Sequence, residues 1–390
     1  MALEQSSTSV IEKMIVSEPK ISLDGDSYVY SFSVTLGKKL HEIQYRTPFP
    51  PTDNSNVALA ATLLPAMKLS APLRLRGSVS EELFGSVTEI QQIFSVWDEG
   101  FNLVPIENGV ANNHATNHKN EVACFFSGGV DSFYTLLKNE KEITHIILVH
   151  GFDFQSDFAG KEEVVKNITE VASKLGKKLV QVDSNLRSFS DNYVTWGFYH
   201  GAMLASVALL LSTKFKKVFI PSTHSFRWLV PWGSHPLTDP LWSLRDMEII
   251  HDGCEAKRVD KVAAIAKNDV AMAYLRVCWE NKGGAYNCGA CEKCLRTMIN
   301  LLVVGALDKC KTFSRQLELW RVARIKIDSE STRDFILENL QVTKKLRSNS
   351  GVVQALNDCL RGLYYKGIWG WPYRALNLIK RKGPWRVVRS

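Results

Sequence analysis

The chain has 390 residues, of which 45% are hydrophobic and 23% charged, a composition typical of a soluble globular protein with more than one core. Its net charge of +8 comes from the C-terminal end, because residues 359–390 hold eight Lys or Arg and no acid. Residues 1–358 therefore sum to zero, which gives no general electrostatic case for binding a nucleic acid.

The sequence shows no sign of membrane insertion or export. It contains no run of about 18 apolar residues. Its N-terminus lacks the basic start, apolar core and small-residue cleavage site of a signal peptide. We therefore expect no membrane span and a cytoplasmic location.

Residues 1–107 predict a small N-terminal α+β domain. The segments SYVYSFSVTL and KLHEIQYRT alternate in polarity on either side of GKK, a pattern typical of a β-hairpin. NVALAATLLPAMKL and SVSEELFGSVTEIQQIFSVW favour helices, and APLRLRG favours a strand. The polar, aperiodic residues 108–120 are predicted to be a linker.

From residue 121 onward, predicted strands and helices alternate. VACFF, THIILVHGF, KKLVQVDS and KKVFIPST are predicted strands, with helical patterns between them. This alternation predicts an α/β domain with a doubly wound, Rossmann-like parallel sheet over residues 121–309. In such sheets ligands bind beyond the carboxyl ends of the strands. Residues 310–390 are predicted to form a helical C-terminal region that ends in a basic tail.

The first of these strands ends in SGGVDS, Ser127 to Ser132. Glycines in a strand-to-helix turn let the backbone approach a ligand, and the N–H groups of the turn and the helix dipole attract anions. Asp131 indicates a bridging divalent cation or a helix cap. The stretch therefore predicts a polyphosphate site with Mg²⁺. The phosphate loop G-x-x-x-x-G-K-[ST] and the dinucleotide fingerprint are both absent. A turn that only links strand and helix is the alternative.

Four of the eight cysteines cluster as Cys278, Cys288, Cys291 and Cys294. In a chain expected in the cytosol, such clustering indicates a metal rather than disulfides. Four thiolates can close a tetrahedral zinc site, but an iron–sulfur cluster also takes four cysteines, so the spacing leaves the metal open. Unligated cysteines are the alternative.

SGGVDS resembles the pyrophosphatase (PP) loop of the adenine nucleotide alpha-hydrolase superfamily, which has a Rossmann-like fold of the HUP type. Together with C-x₉-C-x₂-C-x₂-C-x-R, it resembles the 7-cyano-7-deazaguanine synthase family over roughly residues 121–300. The resemblance implies cleavage of ATP to AMP and pyrophosphate, and zinc on the four cysteines. It places the pyrophosphate among Ser127, Gly128, Gly129, Val130, Asp131 and Ser132, and the adenine near Val149, His150, Gly151, Phe152 and Asp153.

Between the two motifs the chain departs from that family. The stretches Pro-Gly-Arg-Asn and Tyr-Pro-Asp-Cys-Arg are replaced by WGFYHGAML and STHSFRWLVPWGSHPLTDPLWS, so the deazapurine substrate is not carried over. In the second replacement, polar groups set among tryptophans predict a site for a small organic acid. Its predicted substrate residues are His224, Arg227, Trp232, Ser234, His235 and Asp239, with Arg227 clamping a carboxylate. A surface loop pinned by its tryptophans is the alternative.

Arg258 and Lys261 lie three apart on one predicted helical face and are expected to reach the phosphates of ATP. A solvated face is an equal alternative. The sequence thus predicts an ATP-dependent, AMP-forming ligase in which Asp131, Ser127 and Lys261 are catalytic. The activated carboxylate or carbonyl is then attacked by a nitrogen nucleophile. The expected cofactors are ATP, Mg²⁺ and Zn²⁺.

Two other functions stay open. Sulfur insertion into the adenylated carbonyl would use Cys254 as the sulfur carrier. A nucleotide-sensing or scaffold module would use the basic tail as a docking arm toward an anionic membrane surface, a carrier protein or RNA. The substrate is expected to be a small organic acid or acyl group, free or on a peptide or carrier protein. The sequence does not choose between a monomer and a homodimer.

Overall fold

The computed structural model describes residues 12–111, 120–152, 160–327, 329–346 and 349–362. Within these ranges the chain forms eleven strands in one mixed sheet and twelve α-helices, so the predicted α/β class is confirmed. Asp153 and most of the basic tail, residues 363–390, lie outside the described residues. Among the described helices, none combines the length and apolar character needed to cross a bilayer.

The strands are β1 (Met14–Val16), β2 (Lys20–Asp24), β3 (Ser27–Leu36), β4 (Lys39–Thr47), β5 (Leu73–Ser80), β6 (Ile106–Ala111), β7 (Glu121–Phe125), β8 (His145–His150), β9 (Lys178–Ser184), β10 (Phe215–Pro221) and β11 (Glu248–Asp252). The helices are α1 (Asn56–Leu69), α2 (Glu81–Trp97), α3 (Val130–Lys138), α4 (Lys161–Lys174), α5 (Leu186–Ser190), α6 (Trp196–Leu210), α7 (Arg258–Ile265), α8 (Asp269–Tyr274), α9 (Glu292–Val303), α10 (Leu319–Val322), α11 (Glu330–Lys345) and α12 (Ser350–Leu360).

Five strands form a parallel unit in the order β11-β10-β7-β8-β9. The chain runs outward from β7 through β8 to β9, and then returns to the other side of β7 with β10. A crevice opens where the strand order reverses in this way, beyond the carboxyl ends of the strands. The SGGVDS loop follows β7 and therefore lies at this reversal.

Helices cover both faces of the parallel strands. On β7, Ala123 and Phe125 belong to a core that contains α1 and α6, whereas Val122 and Cys124 belong to a second core that contains α3 and α4. Burial on both faces explains why these strands are continuous apolar runs, and all six residues of β8 are buried. The five parallel strands therefore have helices on both faces, as in an α/β sheet.

The sheet is mixed rather than wholly parallel, because the N-terminal strands extend it. The predicted hairpin of β3 and β4 is confirmed, and β4 pairs antiparallel with β9 at Tyr45↔Ser184 and Arg46↔Asp183. The Tyr199 hydroxyl on α6 donates to the Ala61 carbonyl on α1. The predicted domain limits stay predictions, but the sheet and one core run across the limit at residue 107, and the predicted linker begins inside β6.

The described part of residues 310–390 forms the helices α10, α11 and α12, of which α10 is short. Helices α9 to α12 share a small core of their own, to which Leu295, Ile336 and Leu356 belong. Because α9 also borders the parallel unit, this region supports the helix that Cys291 caps and that contains Cys294.

Candidate functional site

The SGGVDS loop joins β7 to α3 in a tight turn. Gly128 has a φ of +78°, and Gly129 is the N-cap of α3. The Arg276 N–H donates to the Gly128 carbonyl at 2.8 Å, and the Ser132 hydroxyl donates to the Gly129 carbonyl at 3.1 Å. Since the first N–H groups of a helix have no partner inside it, the turn offers donors to an anion.

Asp131 is held by two cations from α7. Arg258 Nη1 lies 2.9 Å from Oδ2, and Lys261 Nζ lies 3.2 Å from Oδ1. Lys261, 1% exposed, also donates to the Ser222 carbonyl at 2.6 Å. Burial favours the protonated acid, but Arg258, Lys261 and Arg296 outweigh it and lower the pKa of Asp131. The structure thus brings the predicted pair Asp131 and Lys261 together as an ionised cluster.

A cavity of about 220 Å³ lies beyond the carboxyl ends of β7, β8 and β10. It is smaller than the roughly 300–1,000 Å³ of pockets that hold whole small ligands, so it suits the reacting groups rather than an entire nucleotide. The loop, the end of β8, helix α6 and the segment after β10 all contribute to it. Among the predicted site residues, its lining includes Ser127, Gly129, Asp131, Ser132, Val149, Phe152 and Ser234.

The turn after β8 is as tight as the loop. Gly151 has a φ of +84°, and a Cβ there would lie 2.3 Å from the Ser184 carbonyl oxygen. The next residue, Phe152, is buried, and its carbonyl accepts from Arg187 Nη1 at 2.8 Å. His150 Nε2 lies 3.0 Å from Gln181 Oε1. Of the residues predicted to lie beside the adenine, Val149 and Phe152 line the cavity.

A buried polar network supports Ser234 at the cavity wall. Ser234 Oγ donates to Asp239 Oδ2 at 2.6 Å, and His251 Nδ1 lies 2.7 Å from the same oxygen. Burial lowers the pKa of His251, but hydrogen bonds with Asp239 and Cys254 outweigh it and raise the pKa to about 9. Ser234 and Asp239 meet the imidazole at the same nitrogen, so the imidazole does not relay a proton between them as in a nucleophilic triad.

This ion pair makes stability depend on pH. The pKa of His251, about 9 in the folded state, exceeds its unfolded value of about 6.5, so the stabilisation is complete below pH ~6.5 and is lost as pH rises through 9. We expect the wild-type free energy of unfolding to fall by on the order of 2–3 kcal/mol between pH 6.5 and 9.5 from this pair. Asp239→Asn is expected to remove that fall, measured by urea unfolding at both pH values. Identical pH slopes for the two proteins would contradict the assignment.

The other predicted polar residues of this segment lie around the cavity rather than in its lining. His224 is buried and stacks on Phe335, with ring centroids 5.7 Å apart. Burial and then Arg258 lower the pKa of His224 to about 4. His235 packs edge-on against Trp97 at 5.0 Å, and burial followed by His251 lowers its pKa to about 4. Both imidazoles are therefore neutral at pH 7.

Arg227 does not form the predicted carboxylate clamp at this cavity. Its side chain is exposed, and its guanidinium lies 5.2 Å from the ring centroid of Trp228. It belongs to a short 3₁₀ helix, Phe226–Trp228, on the outer side of the segment. The prediction relied on residue type, which does not report the direction of a side chain in a loop.

The four predicted metal ligands converge. The sulfur atoms of Cys278, Cys288, Cys291 and Cys294 all lie within 4.8 Å of one another, and all four residues are buried. The Cys291 N–H donates to Cys288 Sγ at 3.3 Å, and hydrogen bonds from Cys291 and Cys294 lower the pKa of Cys278. Four converging thiols on a backbone already wrapped around them fit a metal such as zinc.

No family model, curated protein or solved structure matches this chain. The resemblance of the loop and the cysteine spacing to known enzymes therefore rests on those two motifs alone.

Three polar residues that the sequence did not single out also line the cavity: His200 on α6, Thr223 after β10 and Lys293 on α9. Lys293 stands between two predicted metal ligands, and that position could have drawn attention to it. His200 and Thr223 carried no sequence signal beyond their places at a helix start and a strand end.

Ser234 reaches the cavity because α6 carries glycines where the segment Trp232–Ser234 touches it, whereas Trp232 itself packs against Gly197 and does not line the cavity. The Gly233 N–H donates to the Gly197 carbonyl at 2.7 Å, and a Cβ on Gly201 would lie 1.9 Å from the Gly233 carbonyl oxygen. Small residues four apart put this groove on one face of the helix. The spacing G-x-x-x-G in WGFYHGAML was the available signal.

Gly201→Ala is expected to lower the free energy of unfolding by about 1–3 kcal/mol, because the new Cβ forces the segment off α6. Gly85→Ala on α2 is the matched control, since a Cβ there meets nothing within 4 Å. It is expected to raise the free energy of unfolding by roughly 0.5–1 kcal/mol through helix propensity. Urea titrations of both variants measure the difference, and equal changes would show that the close contact is not made.

Proposed function

We propose that the protein is an ATP-dependent adenylating enzyme that cleaves ATP to AMP and pyrophosphate in order to activate a carboxylate or carbonyl. The observation that carries the proposal is the shared cavity. The glycine loop, with Asp131 fixed by Arg258 and Lys261, lines the same space as Ser234 from the predicted substrate segment. A phosphate-binding turn and an acceptor site must meet for this chemistry.

The fold supports the same conclusion. A strand, a glycine turn and a helix at the point where the strand order reverses are the setting in which α/β proteins bind nucleotides. We propose that the parallel unit is a Rossmann-like, PP-loop fold of the HUP type. The backbone N–H groups of residues 127–132 would then hold the pyrophosphate portion of ATP.

The proposed reaction has two steps. An oxygen of the acceptor attacks the α-phosphorus, a P–O bond forms, and the bond to the β-phosphate's bridging oxygen breaks with its electrons leaving on pyrophosphate. Loop N–H groups and the hydroxyl of Ser127 stabilise that leaving charge, while Arg258 and Lys261 supply the surrounding positive potential. A nitrogen nucleophile then attacks the activated carbon, and AMP departs.

The role proposed for Asp131 is to order Arg258 and Lys261 at the start of α3. Both of its carboxylate oxygens are engaged by these cations, so it is not arranged as a ready ligand for Mg²⁺. Mg²⁺ would enter with ATP, as the counter-ion of its phosphates, and would supply charge neutralisation there. At the start of α9, Cys278, Cys288, Cys291 and Cys294 would hold zinc in a structural role.

A nitrogen nucleophile is favoured over sulfur transfer by the place of Cys254. This residue is 3% exposed, its Sγ lies 3.1 Å from Ser222 Oγ, and no cysteine is among the described residues that line the cavity. A thiol enclosed in this way is poorly placed to pass sulfur to an acceptor in the cavity. The acceptor is proposed to be an organic acid or acyl group, free or on a peptide or carrier protein.

Exchange of labelled pyrophosphate into ATP tests the proposal, because reversible adenylation incorporates the label only when an acceptor is present. The protein is incubated with MgATP and labelled pyrophosphate, with and without a metabolite extract. Extract-dependent label in ATP is the expected result. Tight nucleotide binding with no exchange would contradict the proposal and favour the nucleotide-sensing or scaffold function.

A further inference from the structure

We infer that Lys293, which lines the cavity, binds the pyrophosphate portion of the nucleotide. The inference rests on the proposed function and adds a residue that neither the loop nor the cysteine motif assigns. It starts from the charges around the cavity. Among the described residues that line it, Asp131 and Lys293 are the ones with a formal charge at neutral pH.

Two buried cations of α7 lie close to the loop. Arg258 and Lys261 both contact Asp131, and they are 10% and 1% exposed in their side chains. Lys293 lines the cavity, and its side chain is exposed to solvent. A ligand entering the cavity therefore meets an ammonium on this wall and the N–H groups of the Ser127–Gly129 turn on another, both of which favour phosphate oxygens.

The backbone at Lys293 is held by the cysteine cluster. Lys293 is the second residue of α9, between the metal ligands Cys291 and Cys294. Cys291 caps the helix, its Sγ accepting from the Cys294 N–H at 3.5 Å. The thiol cluster thus sets the start of α9, and with it the point from which the lysine reaches the cavity.

A second cation of α9, Arg296, interacts electrostatically with Asp131. Arg296, three residues after Lys293, is buried, lies 3.8 Å from the ring centroid of Phe335 and helps to lower the pKa of Asp131. Residues three apart lie on one side of a helix. Helix α9 therefore presents one buried and one accessible cation toward the loop, and the accessible one is placed to contact a ligand.

The test measures binding of Mg²⁺–pyrophosphate and of MgATP to the full chain by calorimetry. Lys293→Ala is expected to weaken binding of both by about 10- to 100-fold, the loss of a charge-assisted hydrogen bond, and Lys293→Arg to restore most of it. Lys282→Ala is the matched control, since Lys282 is exposed on the same cysteine loop, pairs with Glu280 and does not line the cavity. Metal content confirms that each variant keeps the cysteine site.

Unchanged pyrophosphate binding by Lys293→Ala, or an equal loss in Lys282→Ala, overturns the inference. If the wild type forms AMP and Lys293→Ala binds normally, the inference fails and the proposed function stands. If pyrophosphate binding depends on Lys293 but no AMP is ever formed, the inference stands and the proposed function fails. A wild type that binds neither probe overturns both.

Discussion

Asp131→Asn is expected to lower the rate at which ATP is converted to AMP and pyrophosphate by at least about a hundredfold. The neutral amide releases Arg258 and Lys261, which no longer present an ordered positive field at the start of α3. Preorganised charges of this kind are commonly worth about 10²–10³ in rate. Turnover is measured with labelled ATP and the acceptor-containing extract under conditions where the variant is folded.

A matched control separates this effect from a general change in charge. Asp260 lies on α7 between Arg258 and Lys261 and is exposed, so Asp260→Asn removes the same charge without touching Asp131. Its turnover should stay near that of the wild type. Asp131→Asn is also expected to lose up to about 3 kcal/mol of stability, because Lys261 loses a buried partner. Full activity in Asp131→Asn would refute the role given to this cluster.

The second large effect is expected at the cysteine site. Cys278→Ser should abolish stable metal binding and lower the midpoint of thermal unfolding substantially, because a structural metal contributes its binding free energy to folding. Elemental analysis of the purified protein measures the metal, and its visible absorption distinguishes colourless zinc from a coloured iron–sulfur cluster.

Cys310→Ser is the control for this substitution. Cys310 is also buried and lies close in sequence, but its Sγ meets Thr312 Oγ1 at 3.4 Å and is not part of the converging set. It should retain the metal in full. A Cys278→Ser protein with one metal ion per chain and an unchanged unfolding midpoint would show that the four thiols do not form the site.

Patterns that are local in the sequence predicted the local structure well. The apolar run before Ser127 predicted a buried strand, and the glycines after it predicted a turn. The thiol cluster could be predicted equally well, because Cys288, Cys291 and Cys294 recur at one short spacing. Such signals need no knowledge of distant contacts.

The features that the sequence did not predict depend on contacts between segments that are far apart in the chain. The pairing of β4 with β9 involves only two residue pairs. The polarity pattern of neither strand indicates which strand it pairs with. The directions in which the side chains of Arg227 and Lys293 point depend on how their backbone segments pack against the rest of the protein. β11 was missed because EIIHD is short and carries three ionisable residues.

The most direct measurement is the product formed from ATP labelled at the α-phosphate, with Mg²⁺ and a metabolite extract. We expect labelled AMP, with pyrophosphate released in equal amount and only when the extract is present. Labelled ADP would contradict it, because cleavage would then occur beyond the β-phosphate and the loop of Ser127 to Ser132 would not hold pyrophosphate as a leaving group.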